Sequence, residues 1–103
     1  MQNQLPMTEA TFYILLALTK PSHGYGMMQR IRALSDGRIQ MGPGTLYGVL
    51  TRMNREGLIR LAGEDGRRKN YEITEEGKAA LLSEYDRLKK MVFDGKILEE
   101  AAE

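Results

Sequence analysis

Thr45, Gly48, Arg52 and Arg55 recur at three- and four-residue steps in the run Gly42-Pro43-Gly44-Thr45-Leu46-Tyr47-Gly48-Val49-Leu50-Thr51-Arg52-Met53-Asn54-Arg55, with Tyr47 and Thr51 beside them. At that spacing hydroxyls and guanidiniums share one face of a helix. Their chemistry is hydrogen bonding to anions and to the edges of bases. The face holds no acid before Glu56 and is nearly flat where Gly48 lies. Leu46, Val49, Leu50 and Met53 take the opposite face and are predicted to be buried. A helix that hides one side and offers cations on the other suits a DNA major groove, whose walls are phosphate. Arg52 can donate two hydrogen bonds to a guanine edge or clamp a phosphate. The Thr45 and Tyr47 hydroxyls can reach phosphate oxygens, and Gly44 lets the helix N-terminus approach one. A merely solvated amphipathic helix is the plain alternative. The turn and helix before this segment, and the basic hairpin after it, favour DNA contact.

That hairpin carries Arg67-Arg68-Lys69 beside Gly66. A basic tripeptide is commonly just a solubilising surface. At the end of a two-stranded ribbon it can straddle a row of phosphates or enter a minor groove. Tyr71 is assigned to the core. The expected DNA-contacting set is Tyr25, Gly44, Thr45, Tyr47, Gly48, Thr51, Arg52, Arg55, Arg67, Arg68 and Lys69. His23, the single histidine, has no nucleophile, carboxylate pair or second ligand at a suggestive spacing. It is read as a helix cap or phosphate contact. No catalytic residue, metal ligand or cofactor site is expected, and the protein is not expected to be an enzyme.

The 103-residue chain suits one domain, small enough to gain stability by pairing with a second copy. It has no cysteine, which excludes disulfides and thiolate metal sites and fits a reducing cytoplasm. Its longest apolar run, residues 12–18, is too short to span a bilayer. The opening Met-Gln-Asn-Gln-Leu-Pro lacks the basic stretch of a secretory leader. The net charge of +1 hides an asymmetry: ten Lys or Arg oppose six Asp or Glu in residues 1–74, but five oppose eight in 75–103. A basic body with an acidic end suggests two faces with different tasks.

Several elements must position these residues. Thr8 is a candidate N-cap with Glu9 in the first turn, and Pro21 stops that helix after about residue 18 or 19. Its apolar run needs more than one side covered. Ser22-His23-Gly24-Tyr25-Gly26 turns into a second helix, with Met27, Met28, Ile31 and Leu34 inward and Gln29, Arg30 and Arg32 outward. Ser35-Asp36-Gly37 ends it. Arg38-Ile39-Gln40-Met41 alternates and allows a very short strand. Gly57 is expected to cap the third helix. Residues 58–62 and 69–74 read as strands, with Gly63-Glu64-Asp65-Gly66 as the turn. Thr74 caps a fourth helix, complemented by Glu75 and Glu76. In it Leu81, Tyr85, Leu88 and Val92 form a coiled-coil-like seam, packed within the monomer or, as its length favours, against a second copy. Gly95 kinks or ends that helix, and the Glu-rich tail is expected to fray. The seven Met residues read as core filler, or more sharply as a drug-binding surface. The fold class is mainly α with a small β-hairpin: a winged helix-turn-helix in residues 1–74 and a dimerisation helix in 75–103, forming one compact unit.

Phe12-Tyr13-Ile14-Leu15-Leu16-Ala17-Leu18, His23-Gly24-Tyr25-Gly26, Pro43-Gly44-Thr45-Leu46-Tyr47, Glu56-Gly57-Leu58-Ile59, Gly66-Arg67-Arg68-Lys69-Asn70-Tyr71 and Thr74-Glu75-Glu76-Gly77 occur in this order. Together they resemble the PadR family of bacterial transcriptional regulators, in its short form with a single C-terminal helix. The resemblance implies a homodimeric repressor on a palindromic operator, its last helix paired with the first helix of its partner. Phe12, Leu16, Leu81, Tyr85, Leu88 and Val92 are then the expected dimer interface. Some short members bind flat hydrophobic drugs between their last helices through tryptophan, which this chain lacks. Tyr85, Met91, Val92 and Phe93 are what it offers as a ligand pocket. The expected partners are double-stranded DNA carrying an inverted repeat, a second copy, and a small hydrophobic effector, with no membrane. A winged-helix module that binds protein rather than DNA is the alternative.

Overall fold

The computed structural model describes residues 6–101, the side chains of Asp65 and Ala101 excepted. Most of the opening stretch read as lacking a leader, and the last two residues of the acidic tail, lie outside that range. The elements are α1 (Glu9–Ala17), α2 (Gly24–Leu34), α3 (Pro43–Arg55), β1 (Ile59–Asp65), β2 (Arg68–Ile73), α4 (Glu75–Asp94) and α5 (Ile97–Ala101). This is the predicted winged helix-turn-helix, followed by a long helix.

Local chemistry sets most of the boundaries. Thr8 Oγ1 accepts from the N–H of Thr11 at 3.1 Å and caps α1. Nδ1 of His23 does the same for Gly26 at the start of α2, at 3.4 Å. Pro43 opens α3 at a position whose N–H has no intrahelical partner. At its far end Gly57 has φ +81°, a left-handed conformation that glycine adopts without a Cβ penalty. Its N–H donates to Asn54 O at 3.2 Å and that of Leu58 to Met53 O at 3.0 Å. This pair of bonds is the Schellman motif. Thr74 Oγ1 accepts from Gly77 N–H at 3.0 Å and opens α4.

The core gathers one face from each element. Ile14, Leu15 and Leu18 of α1 and its end meet Met27 and Ile31 of α2, Leu46, Leu50 and Met53 of α3, and Leu58, Ile59 and Ile73 at the root of the hairpin. Val49 and Leu81 pack partly against them. Leu34 departs from expectation. It occupies the final turn of α2, just before the chain reverses through Asp36 and Gly37, both with positive φ, and stays 46% exposed. Arg30, expected on the wet side, is half-buried.

The hairpin is longer than its turn residues suggested. Gly63 and Glu64 belong to β1, pairing with Asn70 and Lys69, and Asp65 pairs with Arg68. The loop is therefore only Gly66-Arg67, with Gly66 at φ +65°. Ala62 is the extra residue of a bulge between Leu61 and Gly63, a device that raises local twist. No strand forms at residues 38–41. The backbone beside β2 is that of Ser22, which exchanges hydrogen bonds with Tyr71 at 2.9 and 3.0 Å. This bridge ties the wing to the start of α2.

The wing root and α4 share one joint. Thr74 donates through its N–H to Leu58 O at 3.0 Å and through Oγ1 to Gly57 O at 2.7 Å. A Cβ at Gly77 would strike the Leu58 carbonyl. Gly95 ends α4, and Glu99 and Glu100 lie in α5 rather than in a frayed tail.

Candidate nucleic-acid interface

Tyr47, in the first half of α3, leans toward the start of α2. Its hydroxyl occupies the space that a side chain at residue 24 would need. Glycine at that position thus lets the two helices approach. Around this contact lies a groove of about 320 Å³ lined by His23, Gly24, Tyr25, Tyr47, Arg67, Arg68, Lys69 and Tyr71. Five of the sequence-predicted DNA contacts, Tyr25, Tyr47, Arg67, Arg68 and Lys69, are therefore brought together. The wing delivers its three cations through β2 and the two-residue loop, and all three are exposed. Arg68 Nη1 lies 3.4 Å from Nε2 of His23, so the cap of α2 and the wing tip face each other across the groove. The cations and backbone N–H groups of a helix start form an anion-binding set. Tyr71, assigned to the core from sequence, is half-buried and also lines this groove.

The remaining predicted contacts, Arg52 apart, form a ridge along α3. Gly44, Thr45, Gly48, Thr51 and Arg55 are all exposed. A Cβ at Gly44 or Gly48 would meet nothing, so the ridge is low at these points. Thr51 Oγ1 donates to the Tyr47 carbonyl at 2.9 Å, which leaves its oxygen lone pairs facing solvent.

Arg52 is placed differently. Its Nη2 donates to Thr11 Oγ1 at 2.7 Å and its Nη1 to Glu56 Oε1 at 3.0 Å. The guanidinium is drawn across the flank of α3 toward α1. Arg38 makes a parallel link from the loop after α2, donating to Glu9 at 3.1 Å and to the Tyr13 hydroxyl at 3.2 Å. Sequence spacing could not foresee the links to α1, because those partners lie far away along the chain.

A second surface lies on α4. Phe12 of α1 joins Tyr85, Leu88, Val92 and Phe93, flanked by Lys89 and Lys96, around an open apolar trough of about 450 Å³. Val92 is 69% exposed. Of the predicted interface, Leu81 packs partly against the protein's own core, and both it and Leu16 are half-buried outside the trough. Of the predicted pocket, Met91 is absent from the lining. It is one residue, or about 100° of helical rotation, away from Val92, and its Sδ accepts from Arg87 Nη1 at 3.1 Å.

Between the trough and the body sits a residue that sequence reading missed. Glu84 is a carboxylate only 2% exposed. Arg87 donates to it through Nε and Nη2, each at 2.7 Å, and the backbone N–H of Met7 donates to it at 3.1 Å. The bonds from Arg87 hold its carboxyl below the ordinary 4.5, with the Met7 bond assisting and burial opposing. The available signal was a lone acid inside the stripe Gly77-Leu81-Glu84-Leu88-Met91 with a cation three residues on.

Among the described residues no group of His, Asp or Glu is arranged to hold a metal, and no helix is long and apolar enough to cross a membrane. Comparison with known proteins agrees with the fold. The chain is 33% identical over 94 residues to an uncharacterised 37.1 kDa transposon protein of Streptomyces fradiae, covering 90% of this chain and 26% of that protein. It is 34% identical over 56 residues to the transcriptional regulator YqjI of Escherichia coli, covering 54% of this chain and 27% of that one. This chain thus spans about a quarter of either relative's length. The crystal structure of a PadR family transcriptional regulator from Eggerthella lenta superposes with a TM-score of 0.72 at 28% identity, covering 86% of this chain and 80% of that chain. The model of the transcriptional regulator PadR-like family matches residues 14–83, which take in the capped α2, α3, the wing and the first half of α4. With helix, turn, helix and wing in the same order around one core, this chain belongs to the PadR-like family of transcriptional regulators.

Proposed function

We propose that the protein binds operator DNA as a two-fold homodimer in the cytoplasm and represses transcription, with α3 in the major groove and the wing on the phosphate backbone. The observation that carries this reading is the convergence of Arg67, Arg68 and Lys69 with the start of α2 on one groove, continuous with the exposed ridge of α3. Residues 1–74 hold this DNA-binding surface, and residues 75–103 supply pairing. In this reading phosphate contacts from the wing, α2 and Thr45 fix orientation, and the exposed Thr51 and Arg55 approach base edges. The trough on α4 receives the second copy. Two recognition helices related by a two-fold axis call for an inverted repeat with half-sites about one helical turn apart. A small hydrophobic compound seated at Tyr85, Val92 and Phe93 would release the DNA.

Selection from a random duplex pool, repeated with flat hydrophobic compounds, tests the proposal. An inverted repeat should emerge, and its binding should fall steeply with salt. Failure to retain any duplex at low ionic strength would reject DNA binding in favour of a protein-binding winged helix.

A further inference from the structure

A line of polar contacts runs from α4 to α3 through the first turn of α1. At the α4 end Arg87 reaches Met91 Sδ at 3.1 Å and both oxygens of Glu84 at 2.7 Å. Glu84 accepts from Met7 N–H at 3.1 Å. The next residue, Thr8, donates through Oγ1 to Thr11 Oγ1 at 3.0 Å while accepting from the Thr11 N–H. Thr11 Oγ1 in turn accepts from Arg52 Nη2 at 2.7 Å, and Arg52 closes the line on Glu56. Thr11 and Glu84 are only 4% and 2% exposed. Thr8 between them is exposed and Arg52 is half-buried, so Thr11 and Glu84 are the two fixed points of the line, where water is not at hand to replace a lost partner.

We infer that Arg52 is a positioning residue: through Thr11 it sets α3 against α1, while Glu84 sets the same turn of α1 against α4, so that a second copy seated on the apolar trough bears on the recognition helix. Phe12, the residue after Thr11, itself lines that trough, which places α1 at both ends of the coupling. The inference rests on the DNA-binding reading for its consequence, though not for its first test.

That test uses backbone amide shifts of the free, full-length protein. Thr11→Val keeps the side chain's shape and removes the oxygen that Arg52 binds. Glu84→Gln weakens the far anchor without approaching α3. Both should move the amides of Gly48, Thr51 and Arg55, and Thr11→Ser should restore them. If Glu84→Gln leaves the α3 amides in place, the relay is overturned. Should Thr11→Val fail to fold, Arg52→Lys reads the line from its exposed end and should shift the amides of Thr8 and Glu84; unmoved signals there overturn it as well. On a selected duplex, Thr11→Val should weaken binding about tenfold with an unchanged salt slope. Adding it to Arg52→Ala should do nothing further. Additive losses would make Arg52 a direct DNA contact. Were the wild type to ignore all duplexes, the proposed function would fall while the amide shifts still decided the relay.

Discussion

Single side chains divide into those that face outward for a ligand and those that hold the frame. Arg67 and Arg68 belong to the first kind, exposed at the tip of the wing with only Arg68 near a protein partner among the described residues. Replacing each by alanine should weaken binding to every duplex and lower the slope of log affinity against log salt by roughly one for each phosphate no longer neutralised. Titration at several ionic strengths would show an unchanged slope if the wing stood clear of the backbone. Glu84 belongs to the second kind. Its folded pKa lies below the ordinary 4.5, so its contribution to stability is complete above that value. The contribution is lost as pH falls through the folded value beneath it. Glu84→Gln should cost about 1–3 kcal/mol at neutral pH and flatten the decline in melting temperature as the solution is acidified past the ordinary carboxylate range. Equal acid sensitivity in both proteins would place the titrating group elsewhere.

Elements were legible in the sequence wherever their limits depend on near neighbours. The caps at Thr8 and Thr74 and the left-handed stop at Gly57 involve partners within a few residues, and each lies where spacing placed it. Gly57→Ala should therefore destabilise the fold by roughly 1–2 kcal/mol, measured by denaturant unfolding; an undiminished stability would mean that the turn relaxes freely. The wing was less legible. Asp65-Gly66 marked the tip, but backbone pairing carries β1 through Gly63 and Glu64, which turn propensities assign to a loop. Its neighbour beside β2 comes from Ser22, far earlier in the chain. The candidate site divides in the same way. The ridge of α3 follows from helical period alone, whereas the links of Arg52 to Thr11 and Glu84 to Met7 span 41 and 77 residues. Nothing local announces such contacts. Helical period also could not tell which part of the seam the protein keeps for itself. Leu81 packs partly against the core, and Tyr85, Leu88 and Val92 remain uncovered.

At the level of the whole molecule, which is 58 Å in its longest dimension, α4 leaves the apolar side chains of Tyr85, Leu88 and Val92 uncovered. Unpartnered apolar surface of this kind marks an association site. Leu88→Lys with Val92→Lys should give a folded monomer by sedimentation, because neither side chain belongs to the core, with a melting temperature that no longer rises with protein concentration. A persisting dimer would move the interface elsewhere. The joint of Thr74, Gly77, Gly57 and Leu58 has a geometric corollary. Wing and long helix depart from a shared hinge-free knuckle, glycine-tight on one side and hydrogen-bonded on the other. In a two-fold pair the gap separating the two wing tips would then be dictated by how the long helices cross, much as the spread of a caliper is dictated at its pivot. A change of crossing angle, made far from any nucleotide, would alter which operator spacing fits.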